Sequence, residues 1–279
     1  MAHSIARNPR EAPALTRDIC EYLSQHPNRK VILSSEGVAR SLLHQPGRAV
    51  LGEFLKRCSE VADTTVVIAL RRLDAFLGSA YLQITKTGEP ISVGLTAEQF
   101  VSRRGRQWIN GLFSGLHWLR SNPEVRLVLV PYLERTDSLP NLLAALGIDD
   151  TAGMQLEPAR NLNRSLGLKA QAALMLPNQA LRPLGVRRRR QLIELFDSGR
   201  FEFSDESYDY DVLGYELRSQ IHTRALAQAE RLGIKEYTAA FSDVELPSTR
   251  QSHIDTSLIS AVDLHDLARA LEARESVRD

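Results

Sequence analysis

The 279-residue sequence holds only two cysteines and no long apolar run. Cys20 and Cys58 form no C-x-x-C pair, which excludes a disulfide framework and predicts a reduced, cytoplasmic setting. No apolar stretch approaches the ~18 residues of a transmembrane helix, and the amino-terminal segment has no apolar secretory core. Lys and Arg number 35 against 34 Asp and Glu, and this net charge of +1 argues against a chain devoted to coating nucleic acid.

Motifs for metal and hydrolytic chemistry are missing as well. The seven histidines are scattered, with no H-x-x-x-H or H-E-x-x-H spacing, so we expect no metal site. No G-x-S-x-G motif supplies a hydrolase nucleophile. Hydrophobic residues make up 43% of the chain and charged residues 25%, which is typical of an ordinary globular protein.

The first half of the chain alternates helical and strand-like segments. Apolar runs at 31–33, 64–70 and 125–130 predict strands, and segments with apolar residues three and four apart predict helices between them. This order predicts an α/β fold, with a parallel sheet flanked by helices and right-handed connections. The run at 64–70 is apolar almost throughout, which predicts a strand covered on both faces.

From Gly147 onward the pattern predicts helices alone. They occupy 168–177, 186–197, 211–232 and 261–274. We interpret the organisation as an α/β core, a helical cap of the same domain and a carboxyl-terminal tail with one helix, over residues 1–150, 151–235 and 236–279 respectively.

An arginine and a serine follow the second predicted strand. Arg71 ends the run at 64–70, and Ser79 lies eight residues later in the next predicted helix. Ligands of open α/β sheets bind at the carboxyl ends of strands, where a guanidinium offers a planar fork for a phosphate and a serine can donate to the same oxygens. The alternative is that Arg71 and Arg72 are surface residues that pair with Asp74.

Five segments in order carry a family resemblance. They are ILSSE, LRRLDAFLGSAY, VPYLER, LLAALGI and NLNRSLGL. Together they resemble bacterial sulfotransferase-like proteins of the P-loop superfold, over roughly residues 3–233. The resemblance implies transfer of a sulfuryl group from 3′-phosphoadenosine 5′-phosphosulfate to a hydroxyl or amine. It also implies that Arg71 and Ser79 bind the 3′-phosphate of this donor, and it requires no metal.

Glu36 is the candidate catalytic base. It lies at the carboxyl end of the first predicted strand, where a carboxylate could take the proton of the acceptor hydroxyl. The alternative is a residue near a helix start that Ser34 or Ser35 caps. Further along, Asn161, Asn163 and Ser165 could contact donor or acceptor, or cap the helix that starts near 168.

One part of the family's pattern, the phosphate-binding loop, is missing from this sequence. In sulfotransferases a first strand leads into a glycine-rich turn with lysine, whose backbone amides bind the 5′-phosphosulfate. No glycine precedes Gly37, and no G-x-x-x-x-G-K-[ST] pattern occurs. Either the reading frame starts upstream, which we favour, or the gene has lost the loop. Without that strand we expect poor solubility or oligomers. The alternative function is a non-catalytic scaffold, or truncated gene product, that binds a nucleotide or glycan without turnover.

A run of arginines is the strongest charge feature. Arg187–Arg190 could bind a sulfated or phosphorylated glycan or nucleic acid. The interpretation we prefer is a solvated helix start, with partners among Glu194, Asp197 and the acidic run at 205–211, itself a solvated loop. The expected partner is therefore a small-molecule or glycan acceptor rather than nucleic acid. Trp118 could line an acceptor cleft or pack against the helical cap.

Overall fold

The computed structural model describes residues 12–29, 31–33, 41–87, 95–133, 139–148, 166–179, 186–208, 210–249, 251–254 and 256–275. The two strands are β1 (Thr65–Arg71) and β2 (Arg126–Tyr132). The α-helices are α1 (Ala12–Gln25), α2 (Gln45–Ser59), α3 (Leu73–Thr87), α4 (Ala97–Phe100), α5 (Arg106–Arg120), α6 (Leu139–Ala145), α7 (Leu168–Gln179), α8 (Val186–Asp197), α9 (Gly214–Arg231), α10 (Lys235–Phe241) and α11 (Ala261–Glu275). A π-helical turn (Val101–Gly105) and a 3₁₀ turn (Thr256–Leu258) complete the set.

The two strands pair in parallel, as the alternating pattern predicted. Thr65 lies opposite Arg126 at one end of the ladder and Arg71 lies opposite Tyr132 at the other. The described chain is therefore mostly helical with a small parallel sheet, which agrees with an α/β fold at this coarse level. Among the described residues, none of the helices combines the length and apolar character that crossing a membrane requires.

The chain divides into two compact units. The first comprises Met1–Leu73, Arg104–Ala152 and Ile221–Glu245, and the second comprises Asp74–Arg103, Gly153–Gln220 and Leu246–Asp279. The boundaries predicted near residues 150 and 235 stay a prediction.

The first unit holds the sheet. Helices α5, α6 and α10 pack against β2, and α1 packs against α2. The buried face of α5 carries Ile109, Phe113, Leu116 and Leu119, which are spaced by three and four residues as a helix facing a core requires. Two glycines on α5 permit close backbone approach, because a Cβ at Gly111 or Gly115 would come within 2.7 Å of the backbone at 42–43. Arg48 fixes this contact by donating to the Gly111 carbonyl at 2.9 Å.

The second unit has a helical core of its own. Its apolar centre brings together Ala172, Leu174, Leu192, Leu195, Phe196, Phe203, Ile259 and Leu267 from α7, α8, α11 and the segments between them. Lys86 of α3 binds Asp197 of α8 at 2.7 Å. Thr96 and Gln99 form a reciprocal capping box at the start of α4.

Several expectations for individual segments are wrong. Residues 31–33 have irregular backbone, and Ile32 is 48% exposed, so they do not form a buried strand. A run of three apolar residues lacks the length that separates a strand from a loop. Strand β1 is only partly covered, since Val66, Val67 and Ile68 are half-buried and Ala69 is exposed. In addition, the side chain of Phe76, expected to face inward, is 37% exposed.

Candidate functional site

The candidate site lies at the carboxyl ends of the two parallel strands, within the first unit. Arg71 ends β1 and is half-buried, and its register partner Tyr132 ends β2 with 45% exposure. Residues paired in register project from the same face of a sheet because side chains alternate along both strands together. The edge therefore combines a guanidinium with an exposed aromatic ring.

Tyr132 is a site residue that the sequence analysis missed. The apolar run at 125–130 predicts a strand that ends before Pro131, yet β2 continues through Pro131 to Tyr132. Proline is tolerated at the edge of a sheet, where its missing N–H faces no partner strand. The available signal was the VPYLER segment itself, which carries Tyr132 directly after the apolar run.

The first backbone N–H of the helix after β1 already has a hydrogen-bond acceptor. The backbone N–H of Leu73 donates to the hydroxyl oxygen of Tyr237 at 3.0 Å. Tyr237 is fully buried, and its ring meets Phe113 edge-on with centroids 5.0 Å apart. An anion at this edge would therefore be bound by side chains rather than by the first helical amide.

A buried ionic cluster occupies the start of α3 in the second unit. The fully buried carboxylate of Asp74 accepts a hydrogen bond from Arg218 Nη1 at 2.8 Å. Arg218 also donates from Nε and Nη2 to both carboxylate oxygens of Asp211, at 2.7 and 2.8 Å. The hydroxyl of Thr249 and the backbone N–H of Leu213 also donate hydrogen bonds to the carboxylate of Asp211. The alternative expected for Asp74 was a pair with the neighbouring Arg71 and Arg72, and no local pattern points to Arg218, which lies 144 residues away in sequence.

The contacts within the cluster shift the pKa values of Asp211 and Arg218. Burial alone raises the pKa of Asp211, but the hydrogen bonds from Arg218 and Thr249 outweigh burial and hold it below its ordinary value. In the same way, burial lowers the pKa of Arg218, but its bonds to Asp211 and Asp74 produce a net rise. One guanidinium therefore pairs with both carboxylates, which is typical of a structural ion cluster rather than of an acid–base pair.

The second predicted donor residue, Ser79, lies on α3 and is exposed. Arg71 belongs to one compact unit and Ser79 to the other. Their joint contact with one phosphate stays a prediction. Glu36, Asn161, Asn163 and Ser165 lie outside the described residues.

The acidic run has defined partners and is not simply a solvated loop. Asp205 binds Lys169 at 2.6 Å, and the carboxylate of Glu206 accepts from the backbone N–H groups of Lys169 and Ala170 at 2.7 and 3.0 Å. Glu206 therefore caps the amino terminus of α7 with a negative charge where the helix dipole favours it. These partners were missed because they lie 36 and 37 residues away in sequence.

The other candidate features have ordinary structural surroundings. Arg187–Arg190 lie in the first turn and a half of α8, and Arg190 is exposed and pairs with Glu194 at 3.1 Å, as the solvated interpretation expected. A Cβ at Gly52 would lie 3.2 Å from the ring of Trp118, which favours packing over an open cleft for this indole. Within the described ranges, no three His, Cys, Asp or Glu residues group closely enough to hold a metal ion.

Comparison with known proteins adds no relative. No protein family, no curated protein and no solved structure matches the chain.

Proposed function

We propose that the chain is a sulfotransferase-like protein that binds an adenosine 3′-phosphate group at the carboxyl edge of β1 and β2. The observation that carries this proposal is the placement of Arg71 opposite Tyr132 at the last register position of the parallel pair. The carboxyl ends of parallel strands are where open α/β sheets bind ligands.

The two side chains match the two parts of such a ligand. Arg71 supplies a fixed, always-charged fork that can bind two phosphate oxygens at once. Tyr132 supplies an exposed aromatic face, and stacking of a base on such a face contributes about 1–3 kcal/mol. Ser79 is proposed as a further hydroxyl donor to the 3′-phosphate.

The reaction proposed for the active protein is in-line sulfuryl transfer from 3′-phosphoadenosine 5′-phosphosulfate. The acceptor oxygen or nitrogen forms a bond to sulfur while the bond from sulfur to the 5′-phosphate oxygen breaks. The acceptor proton passes to the carboxylate of Glu36, which acts as the base. Adenosine 3′,5′-bisphosphate leaves as the product, and no metal takes part.

A second candidate is a scaffold that binds the nucleotide or a glycan without turnover. The observation that favours it is that the printed sequence contains no glycine-lysine phosphate loop. A scaffold that binds the nucleotide uses the same edge of the sheet as the enzyme, so these two forms differ in turnover and not in binding.

A paired assay separates the two candidates. Turnover is measured with sulfur-labelled donor and a panel of phenolic, carbohydrate and amine acceptors, and binding of adenosine 3′,5′-bisphosphate is measured by calorimetry. Turnover that Glu36→Gln abolishes while binding persists supports the enzyme. Binding without turnover supports the scaffold. No binding of adenosine 3′,5′-bisphosphate by the parent chain contradicts both the enzyme and the nucleotide-binding scaffold.

Ser79→Ala and Tyr132→Leu test the two other contacts of the nucleotide. Ser79→Ala removes one hydrogen bond from a hydroxyl to the charged phosphate, so we expect a Kd at least about tenfold weaker. Tyr132→Leu keeps an apolar side chain but removes the stacking face, and we expect about tenfold weaker binding of the nucleotide with unchanged binding of inorganic phosphate. An equal loss for both ligands would contradict the assignment of Tyr132 to the base.

A further inference from the structure

The two cysteines of the chain lie on two helices that contact each other, although they are 38 residues apart in sequence. Cys20 is on α1 and Cys58 is on α2, and these helices pack against each other in the first unit. Burial raises the pKa of the Cys58 thiol to about 12, and the adjacent thiol of Cys20 adds to this rise. Both thiols are free.

The two thiols differ in their access to solvent. Cys58 is only 5% exposed and belongs to the core. Cys20 is half-buried and lines an open groove of about 650 Å³ between α1 and the end of α2. A small oxidant in this groove can therefore reach the sulfur of Cys20 and not that of Cys58.

Charged side chains of both signs line the same groove. Arg17 and Glu21 lie on α1, and Arg57 and Glu60 lie on either side of Cys58 in sequence. Arg57 also pairs with Glu53 at 2.6 Å. The groove therefore places Cys20 beside residues that flank Cys58.

We propose that Cys20 and Cys58 are a peroxide-oxidised thiol pair that forms a reversible intramolecular disulfide between α1 and α2. In the first step the sulfur of Cys20 attacks hydrogen peroxide, the O–O bond breaks, and a sulfenic acid and one water form. In the second step the sulfur of Cys58 displaces the hydroxyl group of that sulfenic acid, which leaves as a second water with the thiol proton. The two electrons pass from the cysteine sulfurs to peroxide, and a dithiol reductant reverses the change.

This site is independent of the proposed nucleotide edge. The cysteine pair lies on neither strand. The outcome of its test therefore does not affect the function proposed for Arg71. The default setting for the chain is reducing, so the paired thiols are the resting form and the disulfide is the oxidised form.

The test is oxidation of the full chain with a small excess of hydrogen peroxide, followed by intact-mass analysis and thiol counting. We expect the loss of two hydrogen atoms, the loss of both free thiols, and migration as a monomer on a non-reducing gel. Dithiothreitol should restore the mass and both thiols. Retention of both thiols, a disulfide between two chains, or gain of oxygen as a stable sulfinic acid would each overturn the proposal.

Three variants assign the roles of the two sulfurs. In Cys58→Ala the sulfenic acid of Cys20 has no partner, so a dimedone-type reagent should label it, whereas the parent chain should take up little label. In Cys20→Ser the buried Cys58 should stay reduced under the same treatment. Should Cys58→Ala unfold, Cys58→Ser and thermal melts of both variants identify a folded form for the assay. Labelling of Cys58 in folded Cys20→Ser would contradict the assignment of Cys20 as the attacked thiol.

Discussion

Substitution of Arg218 by methionine should lower the free energy of unfolding by about 3 kcal/mol. The guanidinium holds two carboxylates, one fully buried on Asp74 and one 8% exposed on Asp211. Methionine fills most of the same volume and removes every charge-assisted bond, so both acids lose the cation that compensates them. Breaking a buried pair in this way costs about 3–5 kcal/mol, and the 15% exposure of the Arg218 side chain places the effect at the lower end of that range.

The matched control is Arg224→Met on the same helix. Arg224 is exposed, so its loss should change the unfolding free energy by no more than about 0.5 kcal/mol. Arg218→Lys should be intermediate, because a single ammonium cannot reproduce the planar fork that serves both oxygens of Asp211 and the oxygen of Asp74. The assay is urea unfolding followed by far-ultraviolet circular dichroism.

The pH dependence of the same variant gives a sharper test. In the parent chain the lowered pKa of Asp211 contributes stability that is full above its ordinary pKa of 3.8 and is lost as pH falls through the folded value. Without Arg218, the burial that raises the pKa of Asp211 loses its main opposing cause, so the variant gains stability relative to the parent as this acid protonates. The difference between parent and Arg218→Met should therefore shrink from pH 7 towards pH 4. A small or pH-independent difference would refute the view that charge compensation at Arg218 stabilises this unit.

Four further changes test other parts of the structure by urea unfolding. Glu206→Ala should cost about 1 kcal/mol, because it leaves two amides at the start of α7 without their carboxylate; no loss would show that water replaces the cap. Ser260→Ala removes the hydroxyl that donates to the Asp263 carboxylate and accepts from the Asp263 backbone N–H at the start of α11, and should also cost about 1 kcal/mol, whereas Ser260→Thr, which keeps the hydroxyl, should retain most of this stability. Tyr237→Phe leaves the buried N–H of Leu73 without its acceptor and should cost roughly 1–3 kcal/mol with unchanged far-ultraviolet dichroism; an equally stable variant would contradict this bond. Finally, the peroxide-oxidised chain should be roughly 4 kcal/mol more stable than the reduced chain, because the bond between Cys20 and Cys58 closes a long loop in the unfolded state, and oxidised Cys20→Ser should show no gain.

Local patterns predicted most of the helices well. The spacing of apolar residues predicts a helix over 12–25, and α1 (Ala12–Gln25) has these bounds. The sequence also predicts that Gly147 caps a short helix before it, and Gly147 has a φ of 66° in the left-handed region. These features depend on neighbouring residues, since a helix face or a cap is set within one or two turns. By contrast, the seven-residue helix α10 was missed because it is too short to show periodicity.

The same distinction between local patterns and distant contacts applies to the residues of the candidate site. The position of Arg71 at a strand end followed from the apolar run before it. Tyr132 required the register of β2 against β1, and Arg218 required a contact with Asp74 across 144 residues of sequence. Such contacts are set by how distant segments pack, which no single window of sequence contains.

Calorimetric titration of Arg71→Ala with adenosine 3′,5′-bisphosphate tests the central claim most directly. The control is Arg126→Ala, which removes an exposed arginine from the opposite, amino-terminal end of the same strand pair. A charge-assisted bond to phosphate contributes about 1.5–3 kcal/mol, so we expect Arg71→Ala to weaken binding by at least about tenfold. We expect Arg126→Ala to bind like the parent. Equal affinity of Arg71→Ala and the parent chain would contradict the assignment of a nucleotide site to this edge of the sheet.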